Sequence, residues 1–223
     1  MTTSSTVETD PRRPVQISAG DATLEGSLSI PEDASRLVLF VHGSGSSRRS
    51  PRNRLVAQKL NDAGLATLLF DLLTRSEEAV DLRTAQHRFD ISLLAERLVH
   101  ATKWARENTI TRNLRIGYFG ASTGGAAALV AAAELPRDVG AIVSRGGRPD
   151  LAGGALPRVC APTLLVVGGE DDVVIDLNEQ ARLQMRGEVQ LEIIPGATHL
   201  FEEPGALERV AHLAADWFVV KLA

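Results

Sequence analysis

The chain has 223 residues, of which 44% are hydrophobic and 23% carry a charge, and its formal net charge is −4. These proportions are those of an ordinary globular domain, and they exclude a largely disordered or collagen-like chain. The small excess of acidic residues gives no reason to expect nucleic acid or an anionic membrane surface as a partner. The single cysteine, Cys160, cannot form an internal disulfide, which is compatible with a cytoplasmic location.

The first 14 residues are rich in Thr, Ser, Arg and Pro. They lack the apolar segment of a secretory signal, and no apolar run in the chain approaches the roughly 18 residues of a membrane-spanning helix. We therefore predict a flexible tail over residues 1–14 and one folded domain over residues 15–223.

Beyond the tail, short apolar runs alternate with segments of helical periodicity. A turn at Gly20 predicts an opening hairpin, and the stretch Leu72–His87 is polar and fits neither pattern. The predicted strands are Val15–Ser18, Leu24–Ile30, Arg36–Val41, Ala66–Asp71, Arg115–Gly120, Val139–Ser144, Thr163–Val167 and Val189–Ile194. The predicted helices are Asn53–Ala63, Asp90–Glu107, Ser122–Leu135, Asp176–Arg186 and Ala206–Leu222.

This alternation predicts an α/β fold, in which parallel strands are joined by right-handed crossovers and helices cover both faces of the sheet. We expect a mostly parallel sheet of about eight strands, with the hairpin as an antiparallel edge. The segment Arg145–Ala161 is short and rich in Gly and Pro, which argues against a helical cap domain.

The pentapeptide Gly120–Gly124 (GASTG) matches the pattern G-x-S-x-G. It directly follows a predicted strand and precedes a predicted helix, which is the context in which this pattern forms a nucleophile elbow. The flanking glycines remove side chains that would clash in so sharp a turn. We therefore predict that Ser122 is a nucleophile at the carboxyl edge of the sheet. The alternative is a glycine-rich turn without chemistry.

A serine hydroxyl needs an adjacent base to react near neutral pH. His199 is the candidate, because it follows the last predicted strand and so lies at the same edge of the sheet. His42 precedes the serine, His87 lies in the ambiguous stretch, and His100 and His212 fall within predicted helices.

An acidic residue must hold the imidazole in one tautomer. Asp171 follows the penultimate strand, and the order Ser122, Asp171, His199 is the nucleophile–acid–base order of one fold only. Asp172 is adjacent, and Asp150 follows the preceding strand, so both stay open as alternatives.

Acyl transfer also needs hydrogen-bond donors for the oxyanion of the tetrahedral intermediate. One donor should be the backbone N–H of Thr123, directly after the nucleophile. The second should come from the loop after Arg36–Val41, where Gly43 and Gly45 let the backbone approach a ligand. We favour the N–H of Ser44, with an ordinary Gly/Ser turn as the alternative.

Several arginines lie near these loops, and one or two could bind a substrate carboxylate through paired hydrogen bonds. Arg52 and Arg145 are the candidates for substrate binding, and a solvated or internally paired set is the alternative. No basic helix or aromatic platform accompanies them, so we do not expect nucleic acid. The arginines are Arg48, Arg49, Arg52, Arg54, Arg145 and Arg148.

Taken together, these motifs resemble the α/β-hydrolases, and within them the dienelactone hydrolase-like family. The segments that carry the resemblance are HGSGSSRRSPRN (His42–Asn53), GASTGG (Gly120–Gly125), SRGGRPDLA (Ser144–Ala152), GGEDDVV (Gly168–Val174) and PGATHLF (Pro195–Phe201). The resemblance implies a single-domain hydrolase without a lid, a Ser/Cys–His–Asp triad, no metal, and small esters or lactones as substrates.

Dienelactone hydrolase proper uses a cysteine nucleophile, whereas this chain has Ser122 at that position. Cys160 precedes a strand and is interpreted as a packed residue. The expected function is therefore a serine carboxylic-ester hydrolase that needs no cofactor and acts as a monomer or homodimer. Alternatives on the same triad are a thioesterase, amidase, acyltransferase or perhydrolase. An alternative of another class is a ligand sensor of low turnover, or a domain that works beside a partner protein.

Overall fold

The computed structural model describes residues 12–223. Within them lie eight strands, six α-helices and one 3₁₀ segment. The strands are β1 (Arg13–Ala19), β2 (Ala22–Ser29), β3 (Arg36–Val41), β4 (Ala66–Phe70), β5 (Arg115–Ala121), β6 (Val139–Arg145), β7 (Thr163–Gly168) and β8 (Val189–Ile194). The helices are α1 (Pro51–Asp62), α2 (Arg75–Thr84), α3 (Ile91–Glu107), α4 (Thr123–Glu134), α5 (Asp172–Gln184) and α6 (Ala206–Lys221), and the 3₁₀ segment is Pro149–Arg158.

All eight strands form one sheet in the order β1-β2-β4-β3-β5-β6-β7-β8. The pairs β1–β2 and β2–β4 are antiparallel, and every later pair is parallel. The chain runs from β3 outward to β4 and then crosses to β5 on the other side of β3. The strand order therefore reverses between β3 and β5, and open α/β sheets bind ligands at such a reversal, beyond the carboxyl ends of the strands.

Two hydrophobic cores cover the two faces of the sheet. Within β3, Leu37, Leu39 and Val41 pack into the core beneath α3 and α4, whereas Val38 and Phe40 pack into the core beneath α1 and α6. Because both faces are buried, the strand reads as an almost continuous apolar run. This is why its bounds could be predicted correctly from sequence.

The structure confirms the α/β class, the antiparallel edge and the absence of a cap domain between β6 and β7, where only the 3₁₀ segment Pro149–Arg158 lies. The predicted tail over residues 1–14 falls mostly outside the described residues, and β1 already begins at Arg13. Leu72–His87 contains α2, which sequence periodicity did not show.

Two expectations are wrong. Helix α5 begins at Asp172 instead of Asp176, because acidic side chains are favourable in the first turn of a helix. Cys160 is exposed and not packed, since it lies in the irregular segment before β7 and not within the strand.

None of the helices between residues 12 and 223 combines the length and the apolar composition that crossing a lipid bilayer requires.

Candidate active site

Ser122 sits on a strained turn between β5 and α4, with φ of 52° and ψ of −122°. A non-glycine residue in this region is held there only by its surroundings. Here the Ser122 N–H donates to the carbonyl of Arg145 at 3.2 Å, and the Ser122 carbonyl accepts the N–H groups of Gly125 (3.0 Å) and Arg148 (3.1 Å). The elbow predicted from G-x-S-x-G is therefore present, clamped between the start of α4 and the end of β6.

The loop after β3 touches this elbow directly. A Cβ on Gly43 would lie 3.0 Å from both the Ala121 carbonyl oxygen and the Ser122 Cβ, so any other residue would crowd the elbow unless the loop moved by a few tenths of an ångström. The Ser46 N–H closes a turn on the Gly43 carbonyl at 3.2 Å, and the exposed Ser44 lies within that turn. Ser44 therefore lies one residue after the point where this loop meets the elbow.

His42 anchors the same loop from inside the protein. Its Nδ1 donates to the Gly43 carbonyl at 3.0 Å, and its Nε2 accepts the Leu72 N–H at 3.1 Å. Since Nε2 is an acceptor, the ring is the neutral Nδ1–H tautomer, and burial lowers the pKa of His42. His42 therefore joins the loops after β3 and β4 and has no free nitrogen for catalysis.

His199 and Asp171 meet at the same edge of the sheet. The His199 Nδ1 lies 2.6 Å from the Asp171 Oδ2, and the two side chains are 39% and 18% exposed. Asp171 directly precedes α5, and the neighbouring Glu170 N–H donates to the Ala197 carbonyl at 3.0 Å. This backbone bond ties the loop of the acid to the loop of the base.

Gly146 lies between His199 and the elbow of Ser122. A Cβ at this position would lie 3.5 Å from the His199 Cε1 and 3.1 Å from its carbonyl oxygen. Gly146 directly follows Arg145, whose carbonyl accepts the Ser122 N–H. The end of β6 therefore lies between the nucleophile candidate and the base candidate.

The two alternative acids have other surroundings. Asp150 receives two hydrogen bonds from Arg148, from Nε and Nη2, each at 2.8 Å. Asp172 is exposed in the first turn of α5. Of the three aspartates, the structure brings Asp171 to His199.

Thr123, the other predicted oxyanion donor, is the first residue of α4 and is buried. The first N–H groups of a helix have no partner within the helix, and they carry its positive dipole end. The Thr123 N–H is one of these groups, at the end of α4 next to Ser122.

The predicted substrate-binding arginines have different neighbours. Arg52 pairs with Glu202 at 3.1 Å, and Arg145 is buried with its guanidinium over the ring of Phe201. Arg48 is held between Glu25 and Asp71. The cavity beside the Ser44 loop is lined by neither Arg52 nor Arg145, and also by neither Ser122 nor His199.

That cavity holds about 60 Å³ and lies between the Ser44 loop, α2 and the start of α3. Asp81 and Arg88 line this cavity, and the sequence alone did not single them out. The Arg88 Nε donates to the Asp81 Oδ2 at 2.6 Å, which closes the loop after α2. A signal was present in the sequence, because Thr74 and Glu77 form a capping box that marks the start of α2.

Between residues 12 and 223, no three His, Cys, Asp or Glu side chains are grouped in a way that could hold a metal ion.

Known proteins similar to this chain agree with the fold. The profile of the dienelactone hydrolase family matches residues 24–218. A solved dienelactone hydrolase from Anabaena variabilis is 61% identical, with 95% of this chain and 98% of that chain covered and a TM-score of 0.94. A serine hydrolase without a lid from Xanthomonas campestris is 17% identical over 96% of each chain, with a TM-score of 0.73, and shows the fold alone.

A curated relative from Mycobacterium tuberculosis, provisionally named a phosphoribosyl transferase, is 57% identical over 205 residues. The match covers 92% of this chain but 45% of that protein, so the chain spans about half the length of its curated relative.

The mostly parallel eight-stranded sheet without a cap, together with these structural neighbours, defines the fold as that of an α/β-hydrolase. Within that class, the chain belongs to the dienelactone hydrolase family.

Proposed function

We propose that this chain is a serine carboxylic-ester hydrolase that cleaves small, short-acyl esters or lactones through an acyl-enzyme. The observation that carries the proposal is the 2.6 Å contact between the His199 Nδ1 and the Asp171 Oδ2, at the sheet edge where Ser122 occupies a strained elbow. A base held by a carboxylate at the same sheet edge as a half-buried serine is the arrangement by which the serine hydroxyl would be activated.

In the proposed reaction, the His199 Nδ1–H donates to Asp171, which leaves Nε2 unprotonated to accept the hydroxyl proton of Ser122. The Ser122 Oγ attacks the ester carbonyl, and the N–H groups of Thr123 and Ser44 stabilise the oxyanion. His199 then gives its proton to the leaving alcohol. Water attacks the acyl-enzyme with His199 as base again, and the acid is released.

The open sheet edge supports a small substrate. No cap domain covers Ser122 between β6 and β7, where only a 3₁₀ segment lies, so little apolar surface is available to bury a long acyl chain at ~0.8 kcal/mol per methylene. The cavity beside the Ser44 loop has four leucines but also Asp71, Glu78, Asp81 and Arg88 in its lining, so we do not assign it to the acyl group.

Other reactions on the same three residues stay open, because thioester, amide and acyl-transfer chemistry differ in pocket shape and water access. The phosphoribosyl transferase name belongs to a protein of which this chain matches 45%. It can describe the remaining part of that protein as well as the matched part. Our proposal for this chain therefore stands on Ser122, His199 and Asp171. The cytoplasmic location, the monomer or homodimer and the independence from cofactors stay predictions.

The test is labelling with a fluorophosphonate probe, together with turnover of p-nitrophenyl acetate. We expect the wild-type protein to be labelled and active, and Ser122→Ala to lose both properties while keeping its circular dichroism spectrum. Ser92→Ala is the matched control, because Ser92 is an exposed serine on α3. Absence of labelling in the wild type would contradict the proposal, and would favour a ligand sensor.

A further inference from the structure

The loop that carries His199 has a strained backbone. Phe201 lies two residues after the histidine and has φ of 57°, in the left-handed region. For a bulky aromatic residue this conformation is a true outlier, and it persists only where neighbouring groups hold it. The Phe201 N–H closes the turn on the Thr198 carbonyl at 3.1 Å, so the strain lies within the turn that presents His199.

Side chains on both sides of the turn hold it in place. The Arg145 guanidinium carbon lies 5.9 Å from the centre of the Phe201 ring, which is 1% exposed, and this is the geometry of a cation–π contact. Glu202 pairs with Arg52 at 3.1 Å, and the Thr198 hydroxyl donates to the Glu203 Oε1 at 2.6 Å.

The burial of Arg145 lowers the stability of the folded protein. It is 8% exposed, and its Nε and Nη1 have no hydrogen-bond partner within residues 12–223. No carboxylate of the described residues forms an ion pair with it, and the charge that acts on it is the cation of Arg52. Burial, and secondarily Arg52, lower the pKa of Arg145 to about 10. Burying a cation without an ion-pair partner costs folding free energy, so the presence of Arg145 here calls for a role other than stabilising the fold.

Arg145 contacts both the elbow of Ser122 and the turn that carries His199. Its carbonyl accepts the Ser122 N–H at 3.2 Å, and its side chain lies against the ring of Phe201. It is the last residue of β6 and lies on the face of Ala141 and Val143, because side chains alternate along a strand. A rigid strand end thus connects the elbow to the turn of the base.

We propose that Arg145 is a positioning residue, whose guanidinium stacks on Phe201 and thereby holds the strained turn that places His199 against Asp171 and Ser122. This replaces the expectation that Arg145 binds the substrate. The proposal rests on the proposed function, because it takes His199 to be the base.

The test is Arg145→Met, which keeps an unbranched side chain of similar length and removes the charge. We expect a melting temperature equal to or above that of the wild type, because an apolar side chain suits the buried position. We also expect kcat for the neutral ester p-nitrophenyl acetate to fall by about tenfold, with KM unchanged within twofold. The rate of fluorophosphonate labelling should fall in parallel, since labelling also needs a positioned base.

Arg106→Met is the matched control. Arg106 pairs with Asp138 and donates to the Leu114 carbonyl, at the amino edge of the sheet and so away from the elbow. We expect this variant to lose melting temperature and keep kcat, the reverse of Arg145→Met. Arg145→Lys keeps the cation over the ring, and we expect it to recover most of kcat.

A second route tests the same contact from the other side. We expect Phe201→Leu to lower kcat as Arg145→Met does, and the double variant to lose no more than the worse single variant, because both changes break one contact. If Arg145→Met does not fold, kcat of Phe201→Leu and of Arg145→Lys decides.

Wild-type kcat in a folded Arg145→Met or Phe201→Leu would overturn the proposal. A loss confined to KM, and larger for the anionic ester p-nitrophenyl hemisuccinate than for the acetate, would overturn it in favour of substrate binding by Arg145. Failure of the probe to label wild-type Ser122 would instead refute the proposed function, so the two failures can be told apart.

Discussion

The change that tests the candidate site most directly is Asp171→Asn. The carboxylate now accepts from the His199 Nδ1 at 2.6 Å. An asparagine can present its amide N–H to the same nitrogen, which favours the imidazole tautomer with the proton on Nε2. That tautomer cannot accept the hydroxyl proton of Ser122, so the shape of the site stays while its chemistry is lost.

The expected loss of kcat in Asp171→Asn depends on how exposed His199 and Asp171 are. In serine proteases, the same change costs about 10⁴ in kcat, or roughly 5 kcal/mol at 1.36 kcal/mol per factor of ten. The His199 side chain is 39% exposed, so water can compete for Nδ1 and soften the tautomer preference. We therefore expect a loss of about 10² to 10⁴ in kcat, which corresponds to roughly 3–5 kcal/mol.

The assay is the kcat for p-nitrophenyl acetate of three single variants, each first shown to be folded by circular dichroism. Asp172→Asn and Asp150→Asn are the controls, because Asp172 is exposed and Asp150 is occupied by Arg148. We expect both to stay within about threefold of the wild type, since a carboxylate outside the site contributes little. Near-wild-type turnover in Asp171→Asn, or a severe loss in Asp150→Asn alone, would refute the assignment of the acid.

Three further predictions concern the nucleophile, the substrate and the loop anchor. Ser122→Ala should lower ester turnover by at least a thousandfold with the fold intact, measured by kcat and circular dichroism. Acetyl and butyryl esters should have higher kcat/KM than dodecanoyl esters, because no cap domain lies between β6 and β7 to bury the further methylenes, each worth ~0.8 kcal/mol. Burial lowers the pKa of His42 in the folded protein, so below about pH 6.5 the unfolded state binds a proton that the folded state does not. Acidification through this range therefore lowers the free energy of unfolding that His42 contributes at higher pH. Thermal unfolding at pH 7.5 and pH 5 should therefore show a smaller loss of melting temperature in His42→Gln than in the wild type; an equal loss would contradict this.

The parts of the site that sequence predicts well depend on local pattern. The elbow at Ser122 could be predicted because its glycines and its strand–helix context are contiguous in the chain. Asp171 and His199 could be paired because the carboxyl ends of parallel strands meet at one edge of the sheet. These patterns cannot decide which of three aspartates at that edge is the acid. The structure separates them, because Asp150 is bonded to Arg148 and Asp172 is exposed.

The parts that sequence missed depend on contacts between distant segments. Helix α2 has little apolar periodicity, because Asp81 is its one buried residue and is held by Arg88. The left-handed backbone of Phe201 has no local signal, since glycine and asparagine are the residues that usually mark such positions. The direction of the Arg145 side chain follows from strand alternation, but its burial depends on where the His199 loop lies.

The geometry of the candidate site is fixed mainly by backbone bonds between neighbouring strand ends. The Ser122 N–H binds the Arg145 carbonyl, the Gly146 N–H binds the Val166 carbonyl at 2.7 Å, and the Glu170 N–H binds the Ala197 carbonyl. These bonds run in sequence from the end of β5 through β6 and β7 to the loop after β8. Strands β5 and β6 shift register between Ile116 and Gly117 but pair regularly from Gly117–Ala141 to Ala121–Arg145, so the regular part of the pairing sets where the elbow lies relative to the end of β6. Since the Arg145 carbonyl binds the Ser122 N–H and the next residue, Gly146, lies against His199, a shift of β6 in register would move the candidate nucleophile and the candidate base relative to each other.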